Sequence, residues 1–264
     1  MSRSRLDAAL VERGLVPSRA RAQAAVAAGQ VRVNGALAFR PAAPVDDDTD
    51  LVVEAPPPFV SRGGEKLAGA LDDFGLDVTG ARALDLGAST GGFTDCLLQR
   101  GAASVVAVDV GYGQLAWPLR NDPRVTVLER TNARHLTPDA VSPAPDLATC
   151  DLAFISVQTV WPAVAACLTR DHRAVVLVKP QFEVGKGQVG SGGVVRDPAL
   201  HAQAIERVAA AITDHGGRVL GVAASHLVGP KGNREFFVYT SGPEGAGAGI
   251  DLEVATVAAV GGSE

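Results

Sequence analysis

The sequence predicts a two-part protein: a small N-terminal α+β module, then an α/β domain with a doubly wound, mostly parallel sheet of seven strands. Two observations predict this division. Residues 1–55 combine two short helices with an Asn-Gly hairpin, whereas apolar, β-rich runs alternate with helical stretches from residue 81 onward. Such alternation is typical of a doubly wound parallel sheet. The 264 residues, 47% of them hydrophobic, suffice for one mid-sized core and one small core.

The N-terminal module begins with two helices that are each followed by a glycine. Gly14 is the expected end of the first helix, Ser18 the expected N-cap of the second, and Gly29 its expected end. Asn34-Gly35 then follows alternating valines, which predicts a tight hairpin. Two helices and a hairpin make a compact module.

The first 40 residues are strongly basic, although the whole chain has a net charge of −5. They hold two acidic residues and seven arginines, namely Arg3, Arg5, Arg13, Arg19, Arg21, Arg32 and Arg40. Because arginine binds phosphate through paired hydrogen bonds, this cluster indicates a nucleic-acid-binding module. The residues that we expect to contact nucleic acid are Arg3, Arg5, Arg19 and Arg21.

Composition excludes several classes of protein. Cys96, Cys150 and Cys167 are odd in number and lack CxxC spacing, so they offer neither a disulfide framework nor a zinc site. The N-terminus lacks the apolar segment of a secretory signal, and the longest apolar runs are too short to span a bilayer. We therefore expect a cytoplasmic, monomeric protein with neither a metal nor a membrane partner.

A proline-rich joint separates the module from the larger domain. Three consecutive prolines in "EAPPPFVSRGGEKLAGAL" predict a stiff spacer, and we assign residues 56–62 to this linker. The larger domain then spans residues 63–264, and its first helix carries Lys66 near its start. We expect the glycine-rich tail to form a short terminal helix or to be partly disordered.

Seven apolar runs supply the strands of the sheet. They are "RALDLG", "SVVAVDV", "RVTVLE", "DLATCDLAF", "AVVLVKP", "RVLGVAASHLV" and "EFFVYTS". Helical stretches such as "GGFTDCLLQRG" lie between most of them. Pro180 follows the fifth run and is expected to forbid a helix there.

The segment "ALDLGASTGGFTD" predicts a strand that ends at Asp85, a glycine-rich turn and a helix. It does not fit the dinucleotide-binding pattern, because Ser89 occupies the place of the second glycine, and it lacks the Gly-Lys-Ser/Thr of a P-loop. An acidic residue suits the ammonium group of a ligand, and backbone N–H groups in the turn can hold a carboxylate. Together they indicate a nucleoside that carries an amino acid.

Two later positions complete the donor pocket. Asp109 ends the second strand at the spacing expected of an acid that binds ribose hydroxyls, and Asn132 follows the third strand, where an adenine would lie. S-adenosylmethionine satisfies these positions, and we expect it as the cofactor. The candidate ligands are Asp85, Gly87, Ser89, Gly91, Gly92, Phe93, Asp109 and Asn132. The plainer alternative is a strand–turn–helix whose glycines serve packing alone.

Four charged residues stand at the ends of predicted elements. Lys66 lies in the first helix of the domain, and Asp151, Lys179 and Glu235 stand at the ends of the fourth and fifth strands and the start of the seventh. Ligands of open α/β sheets bind at the carboxyl ends of strands, and an antiparallel seventh strand would bring Glu235 there. Each residue alone would more often be a solvated side chain or a helix cap. Together they predict a catalytic site.

Methylation of a ribose 2′-OH suits such a site. Two lysines interleaved with two carboxylates offset the cost of partial desolvation. The hydroxyl is a weak nucleophile that must be held in line with the donor methyl, so most of the acceleration would come from positioning. Lys179 can orient the hydroxyl and stabilise a developing alkoxide, or it can act as the base.

A glycine-rich loop, "FEVGKGQVGSGGVVRDP", follows the fifth strand and carries Lys186 and Arg196. It is equally consistent with a mobile lid or RNA-contacting loop and with a flexible connector. Lys186 and Arg62 complete the set of RNA-binding candidates.

The chain resembles the TlyA family of ribosomal RNA 2′-O-methyltransferases, historically labelled hemolysins. The segment "RLDAALVERGLVPSRARAQAAVAAGQVRVNG" looks like an S4 RNA-binding domain. The other matching segments are "VSRGGEKL", "LDLGASTGGFTDCLLQRGAASVVAVDVGYGQLAWPLRNDPRV", "ERTNAR", "VKPQFEVGKGQVGSGGVVRDP" and "GPKGNREFF". The larger domain is also similar to the FtsJ-like class, whose Lys-Asp-Lys-Glu tetrad falls here on Lys66, Asp151, Lys179 and Glu235.

This resemblance implies a Rossmann-like class I methyltransferase fold and cytidine 2′-O-methylation of ribosomal RNA. The N-terminal helix and the tail resemble the longer form, which acts on 16S and 23S rRNA and is implicated in susceptibility to capreomycin-type antibiotics. Departures are small: "RGGEKL" stands where the family often has "RGAHKL", and "CDLAFIS" where it often has "ADLSFIS". Neither removes a tetrad residue.

Two alternative functions are a pore-forming hemolysin and a non-catalytic RNA-binding or ribosome-assembly factor. A pore would leave the donor motif unexplained and needs membrane-spanning segments, for which the apolar runs are too short. The four retained tetrad residues count against a non-catalytic factor.

Overall fold

The computed structural model describes residues 3–262, apart from the side chain of Lys186, so this predicted RNA contact lies outside the described residues. The chain divides into two compact units, Met1–Pro57 and Pro58–Glu264. The division falls inside the segment 56–62 that we expected to link the units. Phe59 already packs against the apolar core of the larger unit.

The smaller unit is an α+β module. Its elements are β1 (Ser4–Arg5), α1 (Leu6–Glu12), α2 (Arg19–Ala27), β2 (Val31–Val33), β3 (Ala36–Leu37), β4 (Pro44–Val45) and β5 (Leu51–Val53). The strands β3, β2 and β5 form an antiparallel sheet in that order, and β1 pairs with β4. The helices and strands share an apolar core that includes Leu6, Leu10, Ala22, Val26 and Val31.

The expected caps and hairpin of this module are present. The helices α1 and α2 end two residues before Gly14 and Gly29, respectively. The Ser18 hydroxyl oxygen accepts a hydrogen bond from a backbone N–H in the first turn of α2 at 3.3 Å. Asn34 and Gly35 have φ of 49° and 79° between β2 and β3, as a type I′ hairpin turn requires.

The larger unit is built on one seven-stranded sheet. Its strands are β6 (Arg82–Leu86), β7 (Ser104–Val108), β8 (Val125–Leu128), β9 (Leu147–Cys150), β10 (Arg173–Val178), β11 (Arg218–Ala224) and β12 (Phe236–Ser241). Their order is β11-β12-β10-β9-β6-β7-β8, and β12 is antiparallel to both of its neighbours while the other neighbouring strands pair in parallel. This confirms the predicted Rossmann-like, mostly parallel sheet.

Helices cover both faces of this sheet. They are α3 (Arg62–Asp73), α4 (Gly92–Gln99), α5 (Trp117–Arg120), α6 (Val157–Cys167), α7 (Pro180–Glu183), α8 (Pro198–Thr213) and α9 (Leu252–Gly261). Residues of α3, α4 and α5 share one core with Val175 and Leu177 of β10. Residues of α6, α8 and α9 share the other core with Val176 and Val178. The alternation along β10 is that of a strand buried on both faces.

Pro180 begins a helical turn, whereas we expected it to forbid a helix after Lys179. It occupies the first position of α7. Proline is tolerated there because the first N–H groups of a helix have no partner within the helix and the proline φ is already helical. The tail also contains a helix, α9, over Leu252–Gly261. Within residues 3–262, no helix combines the length and apolarity needed to cross a membrane.

Candidate active site

Strand register places three of the four predicted catalytic residues at one edge of the sheet. Asp151 directly follows β9, Lys179 directly follows β10, and these strands are parallel neighbours. Glu235 directly precedes β12, whose first residue, Phe236, pairs with Val178 of β10. Because β12 is antiparallel to β10, its start lies beside the end of β10. Glu235 therefore reaches the same edge as Lys179.

Lys66 joins this group from helix α3. Its Nζ lies 2.5 Å from Oε2 of Glu235, and the two side chains are 9% and 1% exposed. A second ion pair joins Nζ of Lys179 to Oδ1 of Asp151, in side chains that are 15% and 23% exposed. The four residues line one cleft of about 400 Å³ beside the glycine-rich turn, so the structure brings the predicted tetrad together.

Alternating charge explains how four ionisable groups share this poorly solvated cleft. Each lysine has a carboxylate partner, and the attraction within each pair offsets the cost of removing the charges from water. The tetrad as a whole is neutral, so it can present ordered donors and acceptors without attracting bulk ions. Such pre-organised charges suit the stabilisation of a charge that develops during a reaction.

Glycines in the turn allow three chain segments to approach closely. A side chain at Gly87, where φ is 80°, would place its Cβ 2.3 Å from the carbonyl oxygen of Asp151. A side chain at Gly92 would place its Cβ 2.2 Å from Oγ of Ser61. The turn therefore lies against the loop that carries Asp151, and the start of α4 lies against the segment that leads into α3.

Two further donor candidates also lie at this turn. Gly91 is the residue before the first turn of α4. Phe93 lines the cleft from α4, and its ring centroid lies 6.3 Å from that of Phe237 in β12. Phe93 therefore links the wall of the cleft to the apolar core below.

Asp85 lies elsewhere than predicted. We expected its carboxylate to bind the ammonium group of the ligand, but the side chain is fully buried and lines neither this cleft nor its neighbours. Its oxygens accept hydrogen bonds from the hydroxyls of Thr94 at 2.7 Å and Thr149 at 3.0 Å. Burial raises the pKa of Asp85 to about 6, against the effect of these hydrogen bonds. Asp85 therefore ties β6 to α4 and β9 beneath the turn.

Asp109 and Asn132, which we expect at the adenosine end of a donor, line a second cleft of about 380 Å³. The carboxylate of Asp109 accepts hydrogen bonds from the backbone N–H groups of Ser89 at 2.8 Å and Gly111 at 2.6 Å. Oδ1 of Asn132 accepts from the N–H of Arg134 at 3.0 Å. The two clefts form one elongated groove, because both are lined by Gly87, Ser89, Asp151 and Lys179.

A third cavity, of about 360 Å³, is lined by Lys179 and Glu235 and also by two aromatic residues, Phe154 and Phe182. We did not predict these two residues from the sequence. Phe154 is 92% exposed and has a φ of 65°, a rare conformation for a bulky residue. Its ring centroid lies 5.3 Å from that of Phe182. A clue was available, because each phenylalanine follows a tetrad residue, Asp151 or Lys179, by three positions.

Carboxylates engage three of the predicted RNA-binding arginines in the smaller unit. Arg5 donates two hydrogen bonds of 3.0 Å to the carboxylate of Asp7, and Nη2 of Arg19 lies 3.2 Å from its Oδ2. Asp7 is fully buried, and its hydrogen bonds with Arg5 hold its pKa well below the usual range. Arg3 pairs with Asp46 at 3.1 Å. Arg5 and Arg19 remain half-exposed, so the pairing orients them without hiding them.

Arg21 and Arg62 differ from these arginines. Within the described part of the chain, the guanidinium of Arg21 has no hydrogen-bond or ion-pair partner. Arg62 lines the tetrad cleft and donates to the carbonyl oxygen of Val228 at 2.9 Å. The first 40 residues are basic, but the smaller unit as a whole is not, because residues 1–57 hold seven arginines and seven acidic residues.

The glycine-rich loop lines the third cavity through Val189 and Gly193. Its C-terminal end is fixed by Asn233, which is 3% exposed and lies two residues before Glu235. Oδ1 of Asn233 accepts from the N–H of Val195, and Nδ2 donates to the carbonyl oxygen of Gly193, both at 2.9 Å. The loop therefore forms a wall of the cavity as well as a connection.

No cluster of three or more His, Cys, Asp or Glu side chains within residues 3–262 could hold a metal ion. Cys96, Cys150 and Cys167 are all buried as free thiols. Burial raises the pKa of Cys96 to about 12 and also raises that of Cys150. The cysteines therefore act as apolar core residues.

Two known families match the chain. The S4 domain family matches residues 4–51, and the FtsJ-like methyltransferase family matches residues 59–241. The second match contains the whole seven-stranded sheet and all four tetrad residues.

Relatives of known name match over both units. The 16S/23S rRNA (cytidine-2'-O)-methyltransferase TlyA of Mycobacterium tuberculosis (strain CDC 1551 / Oshkosh) is 57% identical, over 90% of this chain and 89% of the relative. Hemolysin A of Brachyspira hyodysenteriae is 38% identical, over 89% of this chain and 98% of the relative. A solved structure from Streptococcus thermophilus that bears a hemolysin name matches with a TM-score of 0.76 and 38% identity, over 99% of this chain and 96% of that one. The chain therefore belongs to the FtsJ-like methyltransferase family and, within it, to the TlyA-type proteins with an N-terminal S4 domain.

Proposed function

We propose that this protein transfers the methyl group of S-adenosylmethionine to the 2′-OH of a cytidine ribose in ribosomal RNA. The position of the tetrad carries the proposal. Asp151 and Lys179 line the elongated groove, while Lys179 and Glu235 line the cavity beyond it. A methyl group that passes from one substrate to another must cross such a junction.

The elongated groove fits the donor, which supplies a methyl group bound to a positively charged sulfur. The backbone N–H groups at the start of α4 suit the carboxylate of its amino-acid part. The carboxylate of Asp109 suits the ribose hydroxyls, because each of its oxygens has acceptor capacity beyond the bonds to Ser89 and Gly111. Asn132, at the far end of the groove, would lie beside the adenine.

Lys179 is the tetrad residue that lines both clefts of the groove and also the third cavity, and Asp151 holds its ammonium group in place. From there it can hold the 2′-oxygen in line with the donor methyl and stabilise the negative charge that develops on that oxygen. When bound, the donor would supply the methyl group and keep the electrons of its broken carbon–sulfur bond, and a tetrad carboxylate would accept the hydroxyl proton. The pair of Lys66 and Glu235 closes the other side of the cleft.

Three observations support ribosomal RNA as the acceptor. The relative that is 57% identical is named a 16S/23S rRNA (cytidine-2'-O)-methyltransferase, which favours activity on both rRNAs. The S4 match contains the arginines Arg5, Arg19 and Arg21. Phe154 offers an exposed ring beside the tetrad, and unstacked bases of RNA stack on such rings. A ribosomal substrate would place the protein in the cytoplasm.

The experiment that tests this proposal supplies purified ribosomal subunits with methyl-labelled S-adenosylmethionine. We expect label in rRNA at a position whose 3′ linkage resists alkali, because a 2′-O-methyl group blocks strand cleavage there. Label in neither subunit, with folded protein that binds the donor, would favour the non-catalytic alternative. Lysis of erythrocytes by the protein without donor would favour the hemolysin alternative.

A further inference from the structure

We propose that Glu183 is a positioning residue, which holds the Lys179–Asp151 ion pair and the Phe154–Phe182 ring pair in register. The inference rests on the proposed function, because these pairs border the spaces assigned to the donor and the acceptor. Glu183 itself lines none of the three cavities described above and would act only through its neighbours.

Two loops at the edge of the sheet run side by side and meet at three places. One loop follows β9 and the other follows β10. They meet first at the ion pair of Asp151 with Lys179 and next, three residues further along each loop, at the rings of Phe154 and Phe182. The third meeting place is Glu183, which lies at the C-terminal end of α7.

Glu183 binds the N-terminus of α6. Its Oε2 accepts a hydrogen bond from the hydroxyl of Ser156 at 2.6 Å, and its Oε1 accepts one from the N–H of Val157 at 2.8 Å. Its backbone carbonyl oxygen accepts from Nη1 of Arg207 in α8 at 2.8 Å. Glu183 is 5% exposed, so both its side chain and its main chain are held inside the protein.

Physical chemistry favours a carboxylate at this place. A helix N-terminus carries partial positive charge and unpaired N–H groups, and charge-assisted hydrogen bonds are short and strong. Without Glu183, the N–H of Val157 would lose its partner in a buried setting. The helix α7 has only four residues, so it depends on contacts with its neighbours for its position.

The conformation of Phe154 shows what this contact supports. A φ of 65° in a phenylalanine is unfavourable and persists only where the surrounding structure imposes it. The loop that carries Phe154 is held at one end by the ion pair of Asp151 and at the other by the bond of Ser156 to Glu183. Loss of the second anchor would let the ring, and with it the acceptor, move relative to Lys179.

The test compares full-length Glu183→Ala and Glu183→Gln with the wild-type protein in methylation of ribosomal subunits and in calorimetric binding of S-adenosylmethionine. We expect Glu183→Ala to lower kcat/KM for the subunits about 10- to 100-fold, the range for a misplaced reacting group. Donor Kd should change less than about twofold, because no donor residue contacts Glu183. Glu183→Gln keeps an oxygen for the N–H of Val157, so it should recover most of the lost activity.

Two further variants separate positioning from mere stability. Ile212→Val removes one methyl group from the buried end of α8, and it should lower Tm without changing kcat/KM. In a Phe154→Ala background, the substitution Glu183→Ala should cost much less than it does alone, because the two residues would act through one loop. If Glu183→Ala costs as much activity in the Phe154→Ala background as it does alone, the two residues act independently, which would contradict the inference.

Some outcomes would overturn the inference while leaving the proposed function intact. One is a Glu183→Ala protein with wild-type kcat/KM, and another is a Glu183→Gln protein as impaired as Glu183→Ala. A third is an Ile212→Val protein whose Tm matches that of Glu183→Ala and whose activity is reduced to the same extent. A wild-type protein that methylates no subunit would instead contradict the proposed function itself.

Discussion

Nζ of Lys66 lies 2.5 Å from Oε2 of Glu235, although 169 residues separate the two in the chain. This buried pair joins helix α3 to the start of β12, so one side of the candidate catalytic cleft is closed by an ion pair between the first helix and the last strand of the larger unit. Because neither charge is well solvated, each depends on the other.

Removal of Lys66 alone should therefore make the folded protein less stable. We expect Lys66→Met to lower the free energy of unfolding by about 3–5 kcal/mol, because it leaves the carboxylate of Glu235 buried without a counterion. Urea denaturation measures this change. The double variant Lys66→Met with Glu235→Leu should regain most of the stability but no methyl transfer, which separates the structural role of the pair from its catalytic role.

An exposed ion pair provides the control for that measurement. Arg170 and Glu244 pair through side chains that are 70% and 60% exposed. Arg170→Met should cost less than about 1 kcal/mol, as surface pairs generally do. Equal losses for Lys66→Met and Arg170→Met would contradict our account of the buried pair.

Asp85 should make the stability of the protein depend on pH. Its pKa is raised from 3.8 to about 6 in the folded protein, so the folded state binds this proton more tightly than the unfolded chain does. The stabilisation is therefore full below about pH 4 and is lost as the pH rises through about 6, a loss of about 2–3 kcal/mol.

The variant Asp85→Asn isolates this contribution, because it cannot ionise. The free energy of unfolding of Asp85→Asn minus that of the wild type should rise by about 2–3 kcal/mol between pH 4 and pH 7.5. Urea denaturation at several pH values measures it. A difference that does not vary with pH would show that Asp85 is not the buried, proton-binding group described here.

Phe154→Ala should weaken binding of the RNA acceptor more than binding of the methyl donor. Loss of base stacking on an aromatic ring costs about 1–3 kcal/mol, so KM for the RNA should rise about 5- to 150-fold. Phe154 also lines the second cleft of the donor groove, so Kd for S-adenosylmethionine should rise as well, but less than KM does. Val257, which is 66% exposed on α9, supplies a control, and Val257→Ala should change neither constant. A donor Kd that rises as much as KM for the RNA in Phe154→Ala would contradict the assignment of the third cavity to the acceptor.

The arginines of the smaller unit should fall into two groups. Arg21→Ala should reduce RNA affinity and lower the slope of log K against log salt concentration by about 0.7–0.9, the loss of one phosphate contact, without affecting Tm. Arg5→Ala should lower affinity and also lower Tm, because Asp7 then loses two hydrogen bonds in a buried site. Thermal unfolding and salt-dependent binding measure both effects, and an unchanged Tm in Arg5→Ala would show that Asp7 does not need this arginine.

The edge of the sheet that carries the candidate catalytic residues could be predicted because apolar runs reveal where buried strands stop. Asp151 and Lys179 come directly after such runs, and parallel neighbours must end at the same edge. The hairpin at Asn34-Gly35 was predictable for a similarly local reason, since its backbone conformation favours those two residues.

Other features depend on contacts that are distant in the chain. The carboxylate of Asp85 turns inward because Thr94 and Thr149 supply hydroxyl donors from two other elements. Phenylalanine is usually a core residue, and only the fold shows that the ring of Phe154 is exposed beside the tetrad. The pairing of Arg5 and Arg19 with Asp7 could not be predicted either, because the sequence does not show that the carboxylate of Asp7 is buried between them.

The most direct test of the central claim is a single-turnover measurement with Lys179→Ala. Our account predicts that this variant binds S-adenosylmethionine with a Kd within about threefold of the wild type, because the donor groove keeps its other walls, and forms no 2′-O-methylcytidine in ribosomal subunits. Mass spectrometry of the digested rRNA detects the product. Formation of 2′-O-methylcytidine by Lys179→Ala at the wild-type rate would contradict the role of Lys179, and with it the proposed mechanism.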